Sequence, residues 1–173
     1  MLRRAALVVV VALALTSCAP ESGSTAGPAA GPSARQPSTI LPTVPGEMTT
    51  DSVQSETVRI ADELIASIDP ARIVNDDEYS QEVAAEAGAY WGVLHTLTLQ
   101  PSIDAAAVAE QIAGRMTDAG WIARDGTNQD GTYLIALSSS EDAATSWFCV
   151  VGADASVPGD SVVTLQLASP PIG

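Results

Sequence analysis

Lysine is absent from this chain of 173 residues, and seven arginines face 21 acidic side chains, for a formal charge of −14. A protein so acidic has no electrostatic footprint for nucleic acid. Anionic lipid headgroups should repel it too, and the charge should keep a folded domain soluble and monomeric. Histidine occurs once, as His95, and cysteine twice, as Cys18 and Cys149. Those three residues cannot assemble a zinc site of the familiar kinds. Nucleophilic catalysis needs a base beside the nucleophile, and the chain has no Gly-x-Ser-x-Gly elbow. A Gly-rich phosphate loop is missing as well. No catalytic residue, metal or cofactor is expected, so the chain does not read as an enzyme.

Aromatic residues are scarce, seven in all. Tyr90, Trp91, Trp121, Tyr133, Trp147 and Phe148 fall in or beside expected strands, where aromatics mostly build the core. Tyr90, Trp91, Trp121 and Trp147 are also the candidates for lining a groove between helix and sheet that holds an apolar or glycan ligand. His95 reads as a sheet histidine with its hydrogen bonds satisfied.

Long apolar runs are equally scarce. Ala5 to Leu15 is unbroken Ala, Leu and Val behind Arg3 and Arg4, the layout of an export signal. It is too short to span a bilayer, which takes about 20 apolar residues. The run ends in Leu15-Thr16-Ser17-Cys18, which resembles the lipobox of bacterial lipoproteins. The resemblance implies that residues 1–17 are a signal peptide, cut before Cys18, and that Cys18 carries the lipid. It also implies a place on the extracytoplasmic face of the cell membrane. One acyl chain binds membranes marginally, and stable anchoring takes two signals; a diacylglyceryl group with or without an added acyl chain meets that. Five arginines would then remain against 21 acids, and the lipid alone would hold the protein at the bilayer. Cys149 would have no partner in the chain. Set in Trp147-Phe148-Cys149-Val150-Val151, it reads as a small buried hydrophobe.

Residues 18–49 have the composition of a disordered linker: Pro, Gly, Ser, Ala and Thr, with Pro20, Pro28, Pro32, Pro37, Pro42 and Pro45. Such a stretch offers too little to bury to offset its ordering entropy. As a coil it spans roughly 30 Å, and about 100 Å when pulled out. Residues 19 to 45 should be removable without loss of stability.

Residues 50–173 read as one domain, since about 125 residues suffice for one core. Val53, Thr57, Ile60, Ala61, Leu64, Ile65 and Ile68 recur at helical steps behind a cap at Thr50 or Asp51, and Asp69-Pro70 ends the run. Glu78, Glu82 and Glu86 lie four apart. This spacing suggests a short or frayed helix, weakened by like charges on one face, and Asp76, Asp77 and Glu78 read as a solvated acidic loop at its start. From Tyr90 to Leu99 the pattern alternates, with Trp91, Val93, His95, Leu97 and Leu99 on one face. Ser102 should cap a second helix with Asp104 in its first turn, Ala105, Val108, Ala109, Ile112, Met116 and Ala119 buried, and Gly120 as its stop. Short strands follow at 121–124, 132–137, 146–152 and 161–168. The residues Asp125 to Gly131 read as a turn; they resemble calcium ligands but lack the EF-hand spacing, and Asp130-Gly131 reads as a hairpin turn.

Helices followed by a run of strands predict an α+β fold in two layers, with the helices on one face of a mostly antiparallel sheet of four to five strands. The lipobox, the linker, Tyr90–Leu99, Ala119-Gly120-Trp121 and Trp147-Phe148 together resemble small actinobacterial lipoproteins, including mycobacterial ones. That resemblance implies a location and a fold, and brings no catalytic residue. The expected role is a binding or accessory module of the cell envelope that recognises a partner protein or envelope ligand. The alternative is a carrier of a lipid or small apolar ligand.

Overall fold

The computed structural model describes residues 40–43, 46–86, 88–129, 132–154 and 161–172. Cys18, the expected leader and the expected linker through residue 39 lie outside them. The elements run α1 (Thr50–Ile65), a 3-10 turn (Pro70–Arg72), β1 (Ile73–Ala85), β2 (Gly88–Leu99), α2 (Ala105–Asp118), β3 (Ile122–Gln129), β4 (Thr132–Ser138), β5 (Phe148–Asp154) and β6 (Val162–Ala168). The fold is α+β. Six strands form one sheet in the order β1-β2-β6-β5-β4-β3, and every neighbouring pair is antiparallel. The last strand therefore lies in the middle.

Six strands exceed the four to five expected, and the extra one is β1. Its acidic stretch reads as a helix because its glutamates are four apart. Four is also an even number, so the same spacing places Glu78 and Glu82 on one side of a strand. In a helix their neighbours would sit about 6 Å away; along a strand the same pair is about 13 Å apart. Extension relieves the repulsion, and pairing with β2 along nearly its whole length supplies the backbone partners. The turn expected from Asp125 is likewise strand: β3 continues to Gln129. It is irregular between Ala123 and Gly126, where a side chain on Gly126 would stand 3.1 Å from the Leu134 carbonyl oxygen. That bulge is what Asp125-Gly126 encodes. The second Asp-Gly pair, at 130–131, lies outside the described residues, but Gln129 and Thr132 on either side of it are partners.

Both helices are capped within two residues of the expected position. Thr49 and Ser52 form a capping box on α1, one residue before the expected cap. Asp104, rather than Ser102, caps α2 by accepting from the Ala107 amide at 3.2 Å. Gly120 follows α2 at φ +106°, a left-handed conformation that glycine adopts without strain.

Sheet register explains the core. Val93, Leu167, Cys149 and Leu137 form one cross-strand row; His95, Leu165, Val151 and Ile135 the next; Leu97, Val163, Ala153 and Tyr133 a third. All are buried except the half-buried Ile135. Helix α1 packs against β2 and β6, and α2 against β4, β5 and β6, contributing Ile60, Leu64, Ile112 and Met116 to the core. The core also takes in residues upstream of 50. Ile40 is 1% exposed. The Trp121 indole donates to its carbonyl, Arg59 donates to the Leu41 carbonyl, and the Thr43 amide donates to Glu56. The stretch expected to be removable thus ends in residues that hold core positions.

Candidate functional site

The alternation that buries one side of β2 and its neighbours leaves the other side less buried, with several exposed side chains. On that side Tyr79 stands opposite Leu94, which stands opposite Gln166; Gln81, Gly92, Ala168 and Phe148 form the adjoining row. Tyr79, Leu94, Leu134 and Phe148 are all exposed, although their size and apolarity would favour burial. Between the tall residues lie Gly92 and Ala168. Their short side chains leave a depression of about 180 Å³, walled by Tyr79, Val83, Tyr90, Leu94 and Gln166. The Tyr79 hydroxyl donates to Gln81 at 3.1 Å on its rim. This surface can hold an apolar side chain or a flat ring against its floor.

The four expected groove residues do not come together. Tyr90 borders the open depression. Trp91 points to the opposite side of β2, half-buried, with its indole donating to the Ser80 hydroxyl at 2.9 Å. Trp121 and Trp147 are each 3% exposed. Trp121 is tied to Ile40. Trp147 donates to the Thr57 hydroxyl at 3.0 Å, and Thr57 in turn donates to the Val53 carbonyl. Both are core residues with their indole N–H groups satisfied. The missed residues are Tyr79, Val83 and Gln166. Tyr79 and Val83 were hidden because the segment holding them reads as helical; Gln166 is an unremarkable polar residue in a strand.

No family model, curated protein or solved structure matches this chain. Its residues must therefore carry the functional argument.

Two polar arrangements stand out. His95 is 3% exposed, with Nδ1 2.9 Å from the Asp76 carboxylate. Its Nε2 is buried without a partner among the described residues. The pair joins β2 to β1 and presents nothing to solvent on the histidine side. The second arrangement is a chain of charges. Arg59 bridges Glu56 and Glu63 on α1, and Glu63 also meets Arg115 of α2 at 3.6 Å. Burial pushes the Glu56 carboxyl up, but hydrogen bonds from Arg59 and Thr43 outweigh it and hold the group below the usual carboxylate range. This network anchors residues 41–43 to α1. Burial pushes the Cys149 thiol far above the ordinary range, so it stays a thiol and acts as a small hydrophobe. No described helix is long and apolar enough to cross a membrane.

Proposed function

We propose that this protein is a lipid-anchored, extracytoplasmic binding module of a bacterial cell envelope, with both helices layered on one face of the sheet and the other face free for a partner. The open face is the observation that carries the reading. It presents Tyr79, Leu94, Leu134 and Phe148 in exposed positions, and Tyr79 and Leu94 border a depression with an apolar wall. Isolated exposed apolar residues are ordinary, but Tyr79 and Leu94 are direct cross-strand partners beside Val83 and Tyr90, and grouped apolar exposure marks an interaction surface. The helix contacts support the layering, since α1 and α2 meet neighbouring strands whose buried residues share rows. The membrane anchor rests on the lipobox resemblance ending at Cys18 and on the apolar run before it.

Anchor and surface are tested separately. Cys18→Ala should release the protein from membranes with its thermal unfolding unchanged; retention after a salt wash would overturn the anchor. A photo-crosslinking residue at Leu94 should give a discrete adduct in the intact envelope, while one at the exposed helix position Gln111 should not. Equal labelling from both would overturn the open-face reading. The carrier alternative draws only on the shallow depression at Gly92, and native mass spectrometry of protein from its own host would reveal a retained ligand.

A further inference from the structure

The sheet has two edges, β1 and β3, and they differ. Strand β3 is eight residues long and broken by the bulge between Ala123 and Gly126, a device that discourages further pairing. Strand β1 is 13 residues long. After one irregularity between Ile73 and Asn75, its pairing with β2 is unbroken from Asn75 to Ala85. It contains no proline and no lysine. Every residue from Val74 to Glu82 is exposed, so both faces of the strand are open as well as its edge. Among the described residues no strand pairs with that outer edge. A row of backbone donors and acceptors is left free there, with Val74 and Tyr79 standing out from it at 64% and 61% exposure.

The side chains decide what can pair with it. Asp76, Asp77, Glu78 and Glu82 all lie on β1, and no basic residue does. A second copy pairing edge to edge would set acid against acid, which destabilises directly opposed cross-strand pairs. The same charges attract a basic strand. Register adds detail. Residues opposite one another point to the same side of the sheet, so Asp76, Glu78 and Glu82 share the side of Leu97, His95 and Trp91, while Tyr79 and Val83 share that of Leu94 and Tyr90. One side of the edge carries three acids; the other carries Asn75 and Asp77 at one end and Tyr79, Gln81, Val83 and Ala85 beyond them.

Resting on the binding-module reading, we infer that the outer edge of β1 takes up an extended segment of a partner protein as a seventh strand. That segment alternates basic residues, facing Asp76, Glu78 and Glu82, with apolar residues facing Tyr79 and Val83. Main-chain hydrogen bonds supply affinity and the alternating side chains supply selectivity, as in other cases of strand addition to a sheet edge. The edge is the site, and its acids select the occupant.

The test uses the full chain and synthetic nine-residue peptides, one alternating Lys with Val and one alternating Glu with Val. The Lys peptide should bind and slow amide exchange along β1, and the Glu peptide should bind at least tenfold more weakly. Two further Lys peptides carry N-methyl groups on odd or on even amides. One set faces β1 and should lose binding at least tenfold; the other faces away and should keep it. Replacing Asp76, Glu78 and Glu82 by Asn, Gln and Gln should weaken the unmodified Lys peptide at least tenfold, with circular dichroism unchanged. Equal loss or equal retention for the two methylated peptides, protection outside β1, or self-association through β1 without peptide would each overturn the inference. If Leu94 crosslinks to a partner while the Lys peptide leaves β1 unprotected, the edge inference falls and the binding-module reading stands. Peptide docking on β1 without any Leu94 adduct would leave the edge inference in place and remove the open-face reading.

Discussion

The indole nitrogen of Trp121 donates to the backbone carbonyl oxygen of Ile40 at 3.1 Å, across 81 positions of sequence, and both residues are buried. The bond seals the chain's entry to the domain against the turn between α2 and β3. Deleting residues 19–38 should therefore leave thermal unfolding in place. Extending the deletion to residue 45 removes a fully buried isoleucine, worth about 2–3 kcal/mol, and orphans the indole N–H. Calorimetry on the two deletions should show a drop of several degrees for the second alone.

Glu56 makes the acid limb of stability predictable in sign. Its carboxyl is held below the ordinary value of 4.5 in the folded state. A group lowered by folding contributes fully above its unfolded pKa, and the contribution disappears as pH falls through the folded value. Denaturant titrations of wild type and Glu56→Gln should differ at pH 7, and the difference should shrink as pH falls below 4.5 toward the lowered folded value. A constant difference across that window would mean that the charge of Glu56 contributes nothing.

The His95–Asp76 pair should respond asymmetrically. Asp76 is about one-third exposed and His95 is 3% exposed. Asp76→Ala strands a buried imidazole with both nitrogens unsatisfied and should cost about 1–3 kcal/mol. His95→Leu removes the orphaned nitrogen and leaves Asp76 to water, so the loss should be smaller. Chemical denaturation of both variants checks the order.

Cys149 should resist thiol reagents in the native protein and react only on unfolding, because it is 1% exposed and burial keeps it protonated. Cys149→Ser buries a hydroxyl in an apolar row and should cost about 1–3 kcal/mol. Cys149→Ala should cost less than that. Labelling across a denaturant series reads the first expectation, and unfolding midpoints the second.

Gly92 is a handle on the open face. A Cβ there would meet Val83 and Tyr90 at 3.5 and 3.7 Å, ordinary contact distances. Gly92→Leu should fill the depression with little change in stability, within about 0.5 kcal/mol. Any ligand held there should be lost, as binding to the variant by calorimetry would show.

Residue patterning made much of the fold legible. Strand β2 was readable because Val93, His95, Leu97 and Leu99 alternate with less buried neighbours, and both helices because their apolar stripes are regular. Strand β1 was not readable, since Val74 to Glu82 are all exposed: a stretch exposed on both faces has no period-two hydrophobic signal. The open face was hidden with it, because the walls of the depression belong to β1 and β6 as well as β2, and register between distant strands is not written locally. Trp121 and Trp147 were ambiguous for a related reason. An aromatic beside a strand lines a groove or fills a core according to what packs on it, here Ile40 and Thr57.

The position of β6 has a kinetic consequence. It lies between β2 and β5, so until residues 162–168 are available the sheet exists only as two unconnected pieces, the β1–β2 hairpin and the β3–β4–β5 meander. Each piece would then expose an edge that is central in the finished sheet. A chain interrupted before residue 162 should therefore be unable to join its two halves into one sheet, whatever the stability of each half.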